Sequence, residues 1–432
     1  MTITETAAST QSTSIADEVQ AWAAANWDPD LTLAQWWERL ADSGWAVPSW
    51  PEQWFGKGLS RDEAGVVAGA LRKAGVLGPP TGLGMLLAGP TIVTHGTEEQ
   101  RRRYLRPIVT GQEAWCQLFS EPNAGSDLAG LQTRAERDGD KWVITGQKVW
   151  TSGAHYADLG MLLARTDLDA PKHRGISYYA IDMDQPGIDV RPLREMTGRA
   201  LFNEVFLDAA RVGDDALIGG RDNGWAVANT TLANERAGLG AGGSGGGGGP
   251  ALPGRKAGML DRRVGDLVGG AGTGAGALGL MGRGFDLLKL LAEHEGRTTD
   301  AVIRQDLARL YTVTEIGRYT VMRGRAAKAA GRGPGPEANT AKLSMSRMMR
   351  LSRDLGMAIL GAKGTLAGKD APFDGAIQEL ACFASAVSIY GGSDEIQKNI
   401  IGERVLGLPR EPGNDRDIPF RELLANQARN RT

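Results

Sequence analysis

Cysteine is almost missing: Cys116 and Cys382 are the only two among 432 residues. Two thiols cannot build a disulfide framework, and no His–Cys arrangement marks Cys116 as a nucleophile. Histidine is nearly as scarce. His95, His155, His173 and His294 are scattered without an HxxxH or HExxH pairing, so no metal site is expected. No run of 18 apolar residues occurs, and none of the chain is expected to span a membrane. The opening MTITETAASTQSTS has neither a basic start nor an apolar core, unlike a signal peptide. Neither sign of charge prevails: 49 Lys and Arg against 51 Asp and Glu leave −2. Nucleic-acid binders normally carry a basic excess or stripe, so no nucleic-acid partner is expected. With 41% apolar and 23% charged residues, the composition is that of an ordinary globular protein. A cytoplasmic enzyme is the expected class.

What is present falls into parts. At ~150 residues per domain the length allows roughly three. Residues 1–15 are small and polar and are expected to form a disordered tail. Residues 16–115 read as a helical domain. Ser60-Arg-Asp-Glu63 and Thr97-Glu-Glu-Gln100 match the capping box, in which a hydroxyl and a Glu or Gln satisfy free amides at a helix start. Seven of the eleven tryptophans lie between Trp22 and Trp54 and are expected to fill the core between helices.

The pattern changes over residues 116–223. Lys141-Trp-Val-Ile-Thr145, Gly160-Met-Leu-Leu-Ala164, Ile176-Ser-Tyr-Tyr-Ala-Ile181 and Asn203-Glu-Val-Phe-Leu207 are short, β-branched or aromatic, and bounded by turn residues. They predict a small β-barrel or sandwich. Helical spacing returns over 224–410, in Ile303, Leu307, Leu310 and Tyr311 and again in Met348, Leu351, Leu355 and Ile359. Gly333-Pro-Gly-Pro336 breaks the chain between them. Residues 411–432 read as a tail. The fold class is α+β: an N-terminal helical domain, a middle β domain and a C-terminal helix bundle. One segment stands apart. Gly238–Gly249 holds nine glycines in twelve residues, with Pro250 and Pro253 beyond. Each Gly costs a helix ~1 kcal/mol against Ala, so 238–254 is expected to be a flexible insertion. Its GLGAGG string imitates a dinucleotide fingerprint, but it comes after helical rather than strand sequence.

Three segments carry the chemistry. In Leu118-Phe-Ser-Glu-Pro-Asn-Ala-Gly-Ser-Asp127 a strand runs into a loop with a hydroxyl at Ser120 and small residues at Gly125 and Ser126. Backbone amides there can approach a flat polar ring or a phosphate. Gly146-Gln-Lys-Val-Trp-Thr-Ser-Gly153 offers an aromatic plane at Trp150 and hydroxyls at Thr151 and Ser152. Ile389-Tyr-Gly-Gly-Ser-Asp-Glu-Ile-Gln-Lys-Asn-Ile-Ile-Gly-Glu-Arg404 is a glycine turn opening a helix, so free amides face whatever precedes it.

In this order, with a β region between helices, these motifs closely resemble the acyl-CoA dehydrogenase family, from about residue 20 to 410. The resemblance implies FAD held between the β domain and the C-terminal bundle. Phe119 and Ser120 would contact the isoalloxazine edge, with Gly125 in the same flavin loop. Trp150 would pack against the flavin, and Ser152 would bond near the ribityl chain or phosphate. Ser393 and Glu395 match positions that contact the adenosine half. Ser126 and Arg236 match positions at the acyl-CoA. An electron-transfer flavoprotein is the implied acceptor and lipid β-oxidation the implied setting. Part of each FAD would lie at a subunit interface, which implies a homo- or hetero-oligomer, a dimer or tetramer, with a homotetramer as the family's form.

The reaction removes the α-proton of a thioester while the β-hydrogen leaves as hydride. The proton needs a positioned carboxylate, and the thioester oxygen needs donors. In many members the carboxylate comes directly after the tyrosine of the third motif, where this chain has Gly391. Gly391 retains an amide N–H for the thioester oxygen but takes no proton. Some relatives carry the base on another helix, and Glu235 in Leu232-Ala-Asn-Glu-Arg236 falls on that position. Two alternatives stand beside it: an FAD-binding subunit whose partner supplies the base, and a flavin oxidase or monooxygenase on the same fold. The acyl group is not legible, although a wall that dissolves into glycines just after Glu235 suggests a cavity open at its far end and a bulky, branched or polycyclic substrate.

Overall fold

The computed structural model describes residues 6–240, 250–268, 284–332, 335, 337–410, 415 and 417–429. Five helices come first: α1 (Thr6–Asn26), α2 (Leu33–Asp42), α3 (Arg61–Lys73), α4 (Gly89–His95) and α5 (Glu98–Val109). Ser60 and Glu63 close a capping box on α3, and Thr97 and Gln100 close one on α5. Thr32 and Gln35 cap α2 the same way. The tryptophans pack inward. Trp36 and Trp37 are buried, and their indole N–H groups donate to the carbonyls of Leu77 at 2.8 Å and Gly78 at 3.0 Å. Just before α4, Gly84–Ala88 forms one turn of π-helix.

The middle region is one sheet. Its strands are β1 (Trp115–Leu118), β2 (Arg134–Asp138), β3 (Lys141–Lys148), β4 (Leu159–Arg165), β5 (Ile176–Asp182), β6 (Ile188–Leu193), β7 (Phe202–Gly213) and β8 (Leu217–Ile218). They lie in the order β6-β7-β3-β2-β4-β5-β8, with β1 parallel to β4. Each apolar segment singled out in the sequence lies in a strand. Every residue of β4 is buried, as befits a strand covered on both sides. Trp115, Cys116 and Leu118 of β1 all join the core, and only Gln117 is half-buried. Burial pushes the Cys116 thiol up to about 12, which leaves it unreactive.

The chain returns to helices with α6 (Gly224–Gly240), α7 (Gly284–His294), α8 (Ala301–Ala329), α9 (Glu337–Leu360), α10 (Ala376–Phe383), α11 (Asp394–Ile400) and α12 (Phe420–Arg429). Leu288, Leu291, Ile303, Leu310, Leu355 and Ile359 form the bundle core. This is the α+β class that the sequence predicts.

Three segments differ from expectation. Helix α1 begins at Thr6, inside the stretch 1–15 expected to be a disordered tail, because the run from Thr6 holds no Gly or Pro to stop a helix from extending. The glycine-rich stretch does not end α6 at Gly238, because the helix runs on to Gly240. Residues 241–249 lie outside the described residues. Beyond them the chain packs firmly: Ala251, Met259, Val264 and Leu267 join the core around α1 to α3, and Leu33 and Ala34 donate their amides to Arg262 and Leu260. Within the expected C-terminal tail, Phe420–Arg429 is helical and docks on the β domain. Phe420 is buried beneath the Arg165 guanidinium, 3.5 Å from its ring centre, and its amide donates to Ala170. A single aromatic anchor in a polar run leaves no periodic signal to read.

Candidate active site

The loop after β1 is fixed by an ion pair hidden from water. Lys148, at the end of β3, is fully buried and donates to Glu121 Oε1 at 2.9 Å and to the Phe119 carbonyl at 3.1 Å. Glu121 also accepts the amides of Gln132 at 2.6 Å and Thr133 at 2.9 Å. Burial alone would lift this carboxyl, but the Lys148 charge and the amide donors outweigh it and hold Glu121 below the usual range. The Ser120 carbonyl accepts the amide of Val149 at 2.9 Å, so the first two motifs are tied side by side. Phe119 commits its ring to the core, edge-on to Tyr178. Gly125 and Ser126 lie exposed at the loop's tip.

Trp150 is held out from that junction. It is 61% exposed, rests edge-on against Phe202, and has φ +61°. Left-handed backbone is uncommon for a bulky residue and persists only where its surroundings impose it. Here reciprocal bonds of 3.0 Å between the backbones of Thr151 and Asn203 impose it. The Thr151 hydroxyl is buried without a partner among the described residues, and Ser152 is half-buried next to it.

In the third motif Gly391 and Gly392 have φ +64° and +83°. A side chain at Gly391 would be strained, so the backbone favours glycine at the usual carboxylate position. Gln397 Nε2 donates to the Gly391 carbonyl at 3.1 Å, and its Oε1 accepts from Asn339 of α9 at 2.6 Å. Ser393 caps α11 by accepting the Ile396 amide, and Glu395, in the first turn, is exposed, whereas Asp394 before it is buried.

Glu235, on α6, is half-buried between the first and third motifs. Its one side-chain hydrogen bond among the described residues is a long one from Gln117 Nε2, at 3.4 Å. Burial raises its carboxyl above the usual range, and Gln117 and the Arg236 charge only partly oppose this. Tyr390, immediately before Gly391, is pushed up to about 12 by burial and by the charge of Glu235. Arg236 is pulled down by burial, with Glu235 opposing and the nearby Arg404 adding to the shift. Glu235, Arg236, Gln117 and Tyr390 therefore share one site. Sequence reasoning misses Gln117 and Tyr390 as site residues. A glutamine facing outward on an otherwise apolar strand is the available signal for the first.

This geometry suits a flat aromatic cofactor: an exposed, imposed indole face, an unpartnered hydroxyl beside it, and an open loop where a Cβ at Gly125 would meet nothing within 4 Å. The comparisons agree. The chain matches the acyl-CoA dehydrogenase N-terminal domain over residues 2–112, the middle domain over 116–209 and the C-terminal domain over 268–406. It is 38% identical over 379 residues to acyl-CoA dehydrogenase IpdE1 of Mycobacterium tuberculosis, covering 87% of this chain and 88% of that protein. It is 38% identical to FadE34 of the same organism over 86% of this chain and 46% of that one. Among solved structures, a steroid ACAD described as Tcur3481-Tcur3483 superposes with a TM-score of 0.70 at 28% identity, covering 95% of this chain and all of that one. The ChsE4-ChsE5 complex of Mycobacterium tuberculosis gives 0.65 at 26%, with the same coverage. The chain belongs to the acyl-CoA dehydrogenase family. It is an oxidoreductase of that family, with FAD as its cofactor. No helix among the described residues is long and apolar enough to cross a membrane.

Proposed function

We propose that the protein introduces an α,β double bond into a bulky, polycyclic acyl-CoA thioester, with Glu235 as the base. The observation that carries this is the environment of Glu235: a carboxylate raised by burial, held by one long side-chain bond, beside a glycine turn that carries no carboxylate of its own. A base works best when its pKa lies near the operating pH. Glu235 takes the α-proton as the Cα–H bond breaks. FAD supplies the two-electron sink that receives the β-hydrogen with its electron pair. The Gly391 amide donates to the thioester oxygen as negative charge grows there, and Arg236, next to Glu235 on α6, binds the acyl-CoA. Trp150 and Ser152 would hold FAD, with Ser120 and Gly125 on the loop beside them. Ser126 would line the acyl-CoA approach, and Ser393 and Glu395 would serve the adenosine half. An electron-transfer flavoprotein would be the acceptor of the reducing equivalents. The polycyclic substrate class is supported by the structural neighbour described as a steroid ACAD.

The test is anaerobic mixing with steroid-like, branched and straight-chain acyl-CoAs while the flavin band is monitored. Wild type bleaches with the bulky thioesters. Glu235→Gln keeps size and binding but bleaches ~10²-fold or more slowly; bleaching at the wild-type rate would exclude Glu235. A second reading is favoured by neighbours whose descriptions pair two subunits: this chain works in a heteromer. It requires that the purified chain be inert until co-expressed with its partner.

A further inference from the structure

Thr231 lies one turn before Glu235 on α6 and is fully buried, as are Val227 and Ala228 of the same helix. Its hydroxyl stands 2.9 Å from that of Thr91 on α4 and 3.4 Å from that of Tyr178 on β5. Thr91 and Tyr178 are buried as well. Next to Thr231, the Thr230 hydroxyl is 2.8 Å from Nε2 of His95, one turn beyond Thr91 on α4. Two adjacent side chains of α6 are thus gripped by two side chains a turn apart on α4. None of these groups has a part in the reaction proposed above. Valine in place of the buried threonines would fill the same space without a polar group to satisfy.

The opposite element is shaped for this grip. The π-turn Gly84–Ala88 runs straight into α4, and the Gly89 amide donates five residues back, to the Gly84 carbonyl. A π-turn holds one residue more than an α-turn, which rotates every side chain beyond it by about 100° around the axis. That rotation aims Thr91 and His95 at α6, against which both the π-turn and α4 pack. Single π-turns inside helices occur frequently at functional sites. Tyr178 ties the same point to the first motif, because its ring meets Phe119 edge-on.

Apolar contact and hydrogen bonding constrain a helix differently. Apolar burial is non-directional, so a helix can slide or roll on such a surface at little cost. A hydroxyl pair holds only over a narrow range of distance and angle. Thr231 and Glu235 are four apart and lie on one side of the helix. A roll that breaks the threonine pair therefore also swings Glu235 away from Gln117, whose amide reaches it. We infer that Thr91 and Thr231 are positioning residues: their bond, backed by Tyr178, sets α6 at the height and rotation at which Glu235 meets the α-carbon of the thioester. This deepens the proposed function and rests on it for Glu235 as the base.

The test sets stability against rate. The triple variant Thr91→Val, Tyr178→Phe, Thr231→Val replaces all three partners with groups of similar shape, a change nearly neutral to stability, and keeps a ring against Phe119. Chemical unfolding should stay close to wild type. Flavin reduction at saturating polycyclic acyl-CoA should fall by ~10-fold or more, since small misplacements of a reacting group are costly. The apparent Kd for the thioester should change by less than ~2-fold, the mark of an interaction that acts on the reaction step alone. Thr231→Ser gives the converse: it loses a buried methyl and some stability but keeps the hydroxyl and the wild-type reduction rate. In the Glu235→Gln background the triple variant should add no further loss, because no carboxylate is left to misplace. Three results overturn the inference while the base assignment stands: a triple variant that reduces its flavin at the wild-type rate, a rate that follows stability across the set, or additive losses in the Glu235→Gln background. Wild-type reduction by Glu235→Gln itself overturns the base, and the positioning role with it.

Discussion

Two glutamates of this chain differ in everything but chemistry. Glu121, in the loop after β1, accepts two amides and the Lys148 ammonium, and it is held below the usual carboxylate range. Glu235, on α6, has one bond of 3.4 Å and is raised by burial. Both lie near the same loop system, and both have a cation near them. The difference is saturation. A carboxylate that accepts three donors, one of them a buried ammonium, is a fixture whose ionised form is held by its partners. One that is desolvated and under-bonded has capacity left, and that capacity suits a base.

The comparison breaks most severely at the fixture. Glu121→Gln leaves Lys148 charged and buried without its counter-ion, and removal of one partner from a buried pair costs ~3–5 kcal/mol. Chemical unfolding should show that loss, with flavin content falling alongside because the first motif loosens. The pH dependence has a definite sign. Glu121 is depressed in the folded state, so its contribution is complete above the unfolded carboxylate range of ~4.3 and disappears as pH falls through the lower folded value. Wild type should lose stability in that acid window and Glu121→Gln should lose less. A variant as stable as wild type would mean the ion pair is not what holds the loop.

Glu235→Gln should do the reverse: a loss of ~10² or more in flavin reduction with the fold unharmed. Because the folded state disfavours ionised Glu235, stability is lost as pH rises from the unfolded value through the raised folded one. At neutral pH the uncharged variant should be as stable as wild type or more so. Marked destabilisation would show Glu235 to be structural after all. Trp150→Ala should sit below both in size. It removes an exposed stacking face, and FAD affinity should fall roughly tenfold, the worth of one aromatic contact. Unchanged retention in dialysis would assign the indole to packing against Phe202 alone.

Legibility in the sequence depends on whether the signal is local. Capping boxes at Ser60 and Thr97, the strand segments of the β domain and the tryptophan core are encoded within a few residues, and they stand as the sequence suggests. The box at Thr32-Leu-Ala-Gln35 has the same form and was equally open to reading. The docking of Phe420 on Arg165 joins residues 255 positions apart through one aromatic ring, which no periodicity reveals. The role of Glu235 comes from resemblance, since a Glu-Arg pair on a helix looks like any solvated surface. Its electrostatics need β1 and Tyr390 brought against it. The glycine run misleads because it marks a break in local propensity, while the chain from Ala251 to Leu267 is held by tertiary packing against α1 to α3.

The finest distinction between the two glutamates is the bond from Gln117. It is the sole side-chain hydrogen bond of Glu235 among the described residues, and it opposes the upward pull of burial. Gln117→Met keeps the length of the side chain and removes the donor. The carboxyl then rises further, so a higher pH is needed to ionise it, and the acid limb of flavin reduction moves to higher pH. On the plateau, where Glu235 is ionised in either protein, a more basic carboxylate accepts the proton at least as readily. The plateau rate should therefore persist, while on the limb the rate falls by roughly fivefold at most, the worth of one hydrogen bond of ~1 kcal/mol. Stopped-flow reduction across pH separates the cases. A displaced limb under an unchanged plateau places Gln117 in the tuning of the base. A lowered plateau with the limb fixed would mean that Gln117 orients the thioester, and that Glu235 is set by burial alone.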